Sequence, residues 1–365
     1  MSTLHQIALT FIPGIGDVLG KNLVAVCGGA EAVFKENRKA LLRAEGIGET
    51  LVNIVLAHRE AALDRAAREI EFIEKYKITT LFYTDKSYPK RLKECIDGPL
   101  LIYYKGNADL NDSKVVAIVG TRRATTYGKE ICFAITEGLA SLNVLVVSGL
   151  AYGIDACAHK AALDVGLNTV GVLAHGLDRI YPATNKPLAG KMVHRGGLIT
   201  DYPSNTNPDR ENFPTRNRII AGLSDAIVVV EGGKKGGALI TAEIANSYNR
   251  DVFSVPGRIG DYFSEGCNYL IKTNRAHLIQ SAADIKYIMG WDDLKKSKPV
   301  QQKLMLELNS EEAAVIEVLK NSEEASIDKV CSSSGLSPTK AASALLNLEF
   351  EGLIRCLPGK MYRLN

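Results

Sequence analysis

The sequence has little that would mark a secreted, membrane-bound or metal-binding protein. Its seven cysteines are scattered, odd in number and never spaced Cys-x-x-Cys, which argues against a disulfide framework and a zinc site. No apolar run approaches the roughly 18 residues that a membrane-spanning helix needs. The N-terminus, MSTLHQIALTFIPGIG, lacks the basic segment and cleavage site of a signal peptide. We therefore expect a cytoplasmic protein of more than one domain, without a membrane partner.

Strong net charge and the common nucleotide-binding motifs are missing as well. Lys and Arg total 44 against 41 Asp and Glu, so the composition permits an anionic partner without requiring one. No G-x-x-x-x-G-K-[ST] loop occurs. Arg122 stands where a dinucleotide-binding turn needs its second glycine, and Ser148 replaces the acid that would bind a ribose. These absences argue against a P-loop or dinucleotide cofactor, and we expect no cofactor and no metal.

The first segment, residues 1–75, is predicted to be helical. Two short turns, Ile12–Gly16 and Glu45–Gly48, each join apolar-periodic stretches, which is similar to a tandem helix-hairpin-helix module. In that motif the turn and the following helix N-terminus hold a DNA phosphate. The same turn also serves as a packing module without DNA contact, and the residues leave both interpretations open.

The second segment, residues 76–290, alternates short apolar strands with helices. The strand-like runs of its main part are 115–119, 144–147, 169–173, 197–202, 226–230 and 252–255, and two earlier runs, 78–84 and 100–104, indicate an edge extension. The runs are apolar at nearly every position, which is typical of strands buried on both faces. The pattern therefore predicts an α/β fold with a Rossmann-like parallel sheet covered by helices.

The C-terminal part is predicted to be a separate domain. Residues 291–305 are charged and poor in apolar residues, which is typical of a linker. Residues 306–365 predict three helices and a hairpin, which together indicate a winged helix. The third helix starts at Ser337 and Pro338 and carries one lysine and two glutamates. A helix that reads bases would be richer in Arg, Asn or Gln, so we favour protein contact or packing.

Small and polar residues follow nearly every strand of the predicted sheet. They occur in the stretches 120–125, 148–155, 174–176, 231–233 and 256–258. Because the carboxyl ends of parallel strands share one edge, these turns are expected to form a single binding surface. Arginines and lysines lie in the same stretches and in 213–218 and 234–241. The combination favours a polyanion such as a phosphate chain over a single cofactor.

Six motifs occur in a fixed order between about 80 and 300. They are VGTRRAT, SGLAYGIDACAH, YPATN, FPTRNRIIAGLS, GGALITA and VPGR. With these motifs the sequence resembles the DNA-processing protein A (DprA/Smf) family, and the flanking modules match the family's larger members. The resemblance implies a Rossmann-like core that binds single-stranded DNA, forms a homodimer and loads the RecA recombinase during natural transformation. It implies no catalytic residue.

The motifs and the turns together give the expected site residues. The predicted DNA phosphate-binding residues are Gly120, Thr121, Arg122, Thr125, Ser148, Gly149, Arg216, Asn217, Arg218, Lys235, Gly237 and Thr241. Phe213 is expected to stack a base, while Asp155 and His159 are expected to order a loop. One motif departs from the family pattern Ser-Gly-Ser-Leu-Ile-Thr-Ala. Gly236 and Ala238 replace its two serines here, so Thr241 is the hydroxyl that remains.

An enzyme on the same fold is the alternative. Rossmann-like nucleoside-monophosphate phosphoribohydrolases place a threonine and a glutamate near a late strand, and Glu243 follows Thr241 at the matching distance. An N-glycosidase needs acid and base carboxylates beside the sugar. The segment GGALITAEIANSYN offers one carboxylate and no second. We therefore expect binding rather than hydrolysis.

Overall fold

The computed structural model describes residues 3–291, 308–320, 322, 324–357 and 361–364. It divides into two compact units, Met1–Asp292 and Asp293–Asn365. The predicted linker, residues 291–305, lies outside the described residues except for Trp291. The segment boundaries at 75, 290 and 305 stay predictions. None of the helices in the described ranges is long and apolar enough to cross a membrane.

The first unit begins with five helices. They are α1 (Thr3–Thr10), α2 (Asp17–Cys27), α3 (Ala30–Lys35), α4 (Arg38–Leu41) and α5 (Glu49–Tyr76). The glycine turns before α2 and α5 have left-handed backbone at Gly14 (φ 75°) and Gly46 (φ 77°), where a side chain would be strained. A Cβ on Gly14 would lie 3.3 Å from Leu51, and one on Gly46 would lie 2.8 Å from Leu19. Each turn therefore packs against the helix that follows the other turn.

A nine-stranded sheet forms the centre of this unit. Its strands are β1 (Thr79–Phe82), β2 (Leu101–Gly106), β3 (Val115–Val119), β4 (Leu145–Ser148), β5 (Thr169–Val172), β6 (Gly196–Thr200), β7 (Ala226–Val229), β8 (Asp251–Ser254) and β9 (His277–Leu278). Their order is β1-β2-β6-β5-β4-β3-β7-β8-β9, parallel from β6 to β9, with β1 and β2 antiparallel at one edge. The predicted mostly parallel α/β core is confirmed. Only β9 lacked a prediction, because two residues are too short to show a pattern.

Helices cover both faces of the sheet. They are α6 (Lys90–Lys93), α7 (Thr126–Gly138), α8 (Ile154–Asp164), α9 (Lys186–His194), α10 (Asn212–Leu223), α11 (Gly237–Ser247), α12 (Glu265–Lys272) and α13 (Ala282–Ile288), with 3₁₀ turns at Ala140–Leu142 and Ala183–Asn185. Alternate residues of β3 enter two cores: Val115 belongs to the cluster that includes Leu239 of α11, and Val116 belongs to the cluster that includes Ile135 of α7. Burial on both faces explains why the strand is apolar throughout.

The second unit is a winged helix, as predicted. Its elements are α14 (Ser310–Lys320), β10 (Ala325–Ser326), α15 (Ile327–Ser334), α16 (Pro338–Phe350), β11 (Ile354–Leu357) and β12 (Met361–Leu364), and the strands pair in the order β10-β12-β11. Leu345 and Leu348 of α16 pack against Val315 in a core of their own. Leu346 and Phe350 stay exposed on the same helix. The preference for protein contact over base reading stays a prediction.

Candidate functional site

The strand order reverses at β3. The chain runs from β3 to β4, β5 and β6 on one side, then crosses to β7 and β8 on the other. Loops diverge at such a switch point and leave a crevice beyond the strand ends. An open cavity of about 880 Å³ lies there, which we call the switch-point cavity. Its volume lies in the upper part of the range of about 300–1,000 Å³ that is typical of ligand pockets.

The switch-point cavity brings most of the predicted residues together. Those on its walls are Gly120, Thr121, Arg122, Asp155, Phe213, Arg216, Asn217, Lys235, Gly237 and Thr241. Its walls also include residues without a prediction, chiefly Arg123, Tyr181, Arg210, Tyr262 and Phe263. Gly149 lines a much smaller pocket that shares Arg122 and Phe213 with the cavity. Thr125, Ser148, His159 and Arg218 line neither.

Glu231, directly after β7, holds the turn that carries Arg122. Its backbone oxygen accepts from the Thr121 N–H at 2.8 Å, and its carboxylate accepts from the backbone N–H of Thr125 at 3.0 Å and from the Thr125 hydroxyl. Gly128 lies in the first turn of α7, and a Cβ there would lie 2.2 Å from this carboxyl group. A larger residue at this position would therefore displace the carboxylate. The chain's own carboxylate thus occupies the N-terminus of α7, where a dinucleotide fold would hold a phosphate.

In this arrangement the Thr121 backbone N–H and the start of α7, which were expected to bind phosphate, have partners within the chain, and phosphate binding there stays a prediction. The N–H is engaged by Glu231, and Thr125 caps the helix by accepting from Gly128 N–H at 3.0 Å. Sequence reasoning missed the role of Glu231 because its partners lie more than a hundred residues away in the chain. The sequence does place an acid directly after an apolar strand, and an acid buried there needs a partner.

The exposed Arg122 and the half-buried Phe213 form a cationic and aromatic pair beside that turn. The Arg122 guanidinium lies 4.8 Å from the centre of the Phe213 ring. Tyr181 adds a second ring, with 6.0 Å between the two ring centres. Arg122 and Arg123 are both exposed. Cations beside aromatic faces suit a ligand that alternates phosphates and flat bases.

Arg216 places a buried positive charge at the same cavity. Its side chain is nearly enclosed, with 3% of the residue exposed, and it donates to the carbonyls of Gly149 at 2.6 Å and of Val172. Its Nε has no hydrogen-bond partner. No carboxylate among the described residues lies within 4.0 Å of it. Burial accordingly lowers the pKa of Arg216 from 12.5 to about 10.

Asp155 and Gly149 shape the surroundings of Arg216. A Cβ on Gly149 would lie 2.6 Å from both the Arg216 guanidinium and the Asp155 carboxylate, so a larger residue there would displace these two groups. Asp155 accepts from the Ala151 N–H at 3.3 Å, a contact within the loop that it was expected to order. Burial raises the pKa of Asp155, and the Arg216 charge opposes that rise.

His159 has a different place from the loop expected for it. It is fully buried on α8, and its Nδ1 pairs with the Thr169 hydroxyl of β5 at 2.6 Å. Burial lowers its pKa to about 3, so the ring is neutral at physiological pH. His159 therefore joins α8 to β5, and its role in ordering the loop before α8 stays a prediction.

Several other predicted phosphate ligands have internal partners instead. Ser148 and Thr241 are buried and donate to Ile118 O at 2.6 Å and to Gly237 O at 3.0 Å, and Asn217 donates to Gly237 O at 3.3 Å. These hydroxyls and this amide hold the strand ends and helix starts together. Ser148 lines neither of the two cavities described above, and direct phosphate contact by these residues stays a prediction.

Arg218 also differs from expectation. It pairs with Asp17 at 2.9 Å and with Asp201 at 2.6 Å, and it donates to the Asp97 carbonyl. Asp17 is the first residue of α2, so this arginine ties the helical module to the sheet. Residues two apart on a helix point in different directions, which is why Arg216 reaches the cavity and Arg218 does not.

The N-terminus of α11 is the open helix end at the cavity. The helix starts at Gly237 after the extended residue Gly236, and no side chain caps it. Lys235 is exposed just before it. Ala238 is buried but also lines the switch-point cavity, so a serine hydroxyl at that position would lie at the cavity wall. Free helix amides and a nearby lysine suit an anion here.

The residue on which the enzyme alternative depends lies elsewhere. Glu243 is exposed and pairs with Arg275 at 3.0 Å. It does not line the switch-point cavity, where Asp155 is the sole acid among the described lining residues. The cavity therefore has no pair of carboxylates for glycosidic chemistry.

Comparison with known proteins gives consistent results. A family model for DNA recombination-mediator protein A matches residues 79–289, and one for the DprA winged helix domain matches 302–360. A putative DNA processing protein DprA from Mycobacterium tuberculosis is 36% identical over 328 residues, 86% of this chain and 84% of the relative. DNA processing protein DprA from Streptococcus pneumoniae is 39% identical over 231 residues, 63% of this chain and 80% of the relative.

Two solved structures resemble this chain. The X-ray structure of DprA from S. pneumoniae has a TM-score of 0.62 at 30% identity, over 79% of this chain and 98% of the other. A Helicobacter pylori structure, titled for the single-stranded DNA binding mode of its DNA processing protein A, has a TM-score of 0.54 at 28% identity. It covers 59% of this chain and 97% of the other.

Proposed function

The chain belongs to the DNA recombination-mediator protein A family, and from that premise we propose that its switch-point cavity binds single-stranded DNA without sequence preference. The family acts in DNA processing in recombination. The H. pylori relative has a single-stranded DNA binding mode. The groups on the cavity walls of this chain supply the chemistry that such a ligand requires.

The buried charge of Arg216 is the observation that carries the proposal. Removing a charge from water costs several kcal/mol, and proteins normally offset that cost with an opposite charge close by. Asp155 offsets only part of that cost: no carboxylate of the described residues lies within 4.0 Å of Arg216, and the pKa of Arg216 stays lowered although the residue faces an open cavity. A phosphate entering the cavity would add opposite charge and a partner for the free Nε.

The remaining wall residues favour a chain of nucleotides over one anion. Arg122, Lys235 and the amides at the start of α11 offer further positions for phosphates. Phe213 and Tyr181 offer ring faces, which stack on any base. Asn217 has an amide of the kind that reads base edges, but this amide already donates to Gly237 O. These contacts are indifferent to base identity.

The structure leads us to revise the roles within the predicted site. We propose direct phosphate contact by Gly120, Arg122, Arg216, Lys235 and Gly237, with Arg123 and Arg210 added from the cavity walls. Thr121, Thr125, Ser148, Gly149, Asn217, Arg218 and Thr241 are proposed to shape the site. Homodimer formation, RecA loading in natural transformation, a cytoplasmic location and the lack of catalysis remain proposals that rest on the family resemblance.

Charge-removing variants test the proposal. We expect Arg122→Ala and Lys235→Ala each to weaken binding of oligo-dT and to lower the slope of log K against log salt by about 0.7, one phosphate contact on a single strand. Lys191→Ala is the matched control, since this exposed lysine of α9 does not line the cavity. Equal affinities and slopes for all three variants would contradict the proposal.

A further inference from the structure

The loop after β8 forms a second aromatic wall of the switch-point cavity. Tyr262 and Phe263 lie on this wall, whereas Phe213 belongs to the connection after β6. In the sheet order, β6 and β8 lie on opposite sides of β3 and β7. The two aromatic walls therefore approach the switch point from opposite sides.

Tyr262 is exposed although its position is well anchored. Its ring packs over Gly233, where a Cβ would lie 3.1 Å from it, and stands edge-on to Phe263 with 5.1 Å between ring centres. The Phe263 carbonyl accepts from the Gly232 N–H at 2.7 Å and fastens the loop to the end of β7. The Tyr262 residue nevertheless remains 65% exposed. A held ring with a free face is a ready stacking surface.

A positive charge accompanies this ring, as one accompanies Phe213. Lys235 follows Gly233 closely in the chain, is exposed and lines the same cavity as Tyr262. The uncapped start of α11 comes next. Each side of the switch point therefore combines an aromatic face with groups for a phosphate, the recurring composition of single-strand binding grooves.

We propose that Tyr262 is a second base-stacking site, so that a single strand crosses the cavity with one base on Phe213 and a later base on Tyr262. This inference rests on the proposed function and assigns a second contact point to the same ligand. Both rings line the same open cavity, so one strand that enters it can meet both.

An affinity measurement and a fluorescence measurement test the inference. We expect Tyr262→Leu to weaken binding of a labelled oligo-dT of about 12 nucleotides roughly tenfold by anisotropy, because one stacked base contributes on that order. For the second readout, Trp291→Phe removes the one tryptophan, and Tyr262→Trp in that background places a reporter at the site. Stacking of a thymine should quench its emission at the DNA concentration that saturates the anisotropy signal.

Tyr287 provides the matched control. It is 79% exposed on α13 and does not line the cavity, so Tyr287→Leu should bind normally and Tyr287→Trp should keep its emission. If wild-type protein binds oligo-dT while Tyr262→Leu binds equally well and Tyr262→Trp is not quenched, the inference is wrong and the proposed function stands. If wild-type protein does not bind oligo-dT, both are wrong.

Discussion

Replacing Arg216 by glutamine tests whether its buried charge serves to bind a ligand or to stabilise the fold. Glutamine has a donor for one of the two carbonyls, Gly149 O or Val172 O, that the guanidinium contacts, but it carries no charge. If the buried charge serves to bind phosphate, its removal should abolish a large part of the DNA affinity without unfolding the protein.

The size of both effects follows from the environment of the guanidinium. Burial lowers the pKa of Arg216 from 12.5 to about 10, which corresponds to about 3 kcal/mol of unfavourable free energy in the charged form. A phosphate that pairs with the charge recovers about that amount, so Arg216→Gln should raise the Kd for oligo-dT about a hundredfold. Losing one hydrogen bond costs about 1–3 kcal/mol, which removal of the charge roughly offsets.

Two assays check these values. Fluorescence anisotropy with labelled oligo-dT gives the change in Kd, and urea unfolding of the free protein gives the change in stability. We expect the free energy of unfolding to stay within about 2 kcal/mol of wild type. Saturating oligo-dT should stabilise wild-type protein and leave the variant almost unaffected. Wild-type affinity in the variant, or a loss of stability well above that range, would refute the reasoning.

Three further outcomes are expected. Glu231→Ala leaves the Thr125 N–H without its acceptor, so unfolding should become about 1–3 kcal/mol easier and oligo-dT binding weaker, while the exposed Glu243→Ala changes neither. Burial lowers the pKa of His159 to about 3, so between that value and pH 6.5 the ring is neutral in the folded protein and protonated in the unfolded chain. The free energy of unfolding in urea should therefore fall by roughly 2 kcal/mol on lowering the pH to 5, and it should not fall in this way in His159→Gln. Asp17→Asn should cost about 1 kcal/mol of stability and leave the oligo-dT Kd unchanged, so a weakened Kd would contradict the assignment of Arg218 to packing.

The sheet could be predicted from the sequence because strands that are buried on both faces are apolar at nearly every position. A run such as Val115–Val119 therefore shows its environment in its composition. The location of the site could be predicted for a related reason, since strand ends of a parallel sheet lie along one edge. The two-residue strand β9 has too few side chains to carry such a pattern.

The hydrogen-bond and ion-pair partners of individual site residues could not be predicted in the same way. Arg216 and Arg218 look alike in the sequence, and only the fold shows that one faces a cavity and the other faces Asp17 and Asp201. Tyr262 lies in an irregular loop, where no periodicity indicates which way a ring points. Such roles depend on contacts between distant segments.

Binding of wild-type protein to oligo-dT and to a duplex of equal length, over a series of salt concentrations, tests the central claim most directly. A cavity that stacks bases and binds phosphates should prefer the single strand, with log K falling linearly as log salt rises. Equal or tighter binding of the duplex would contradict the account, and so would an affinity for the single strand that does not change with salt.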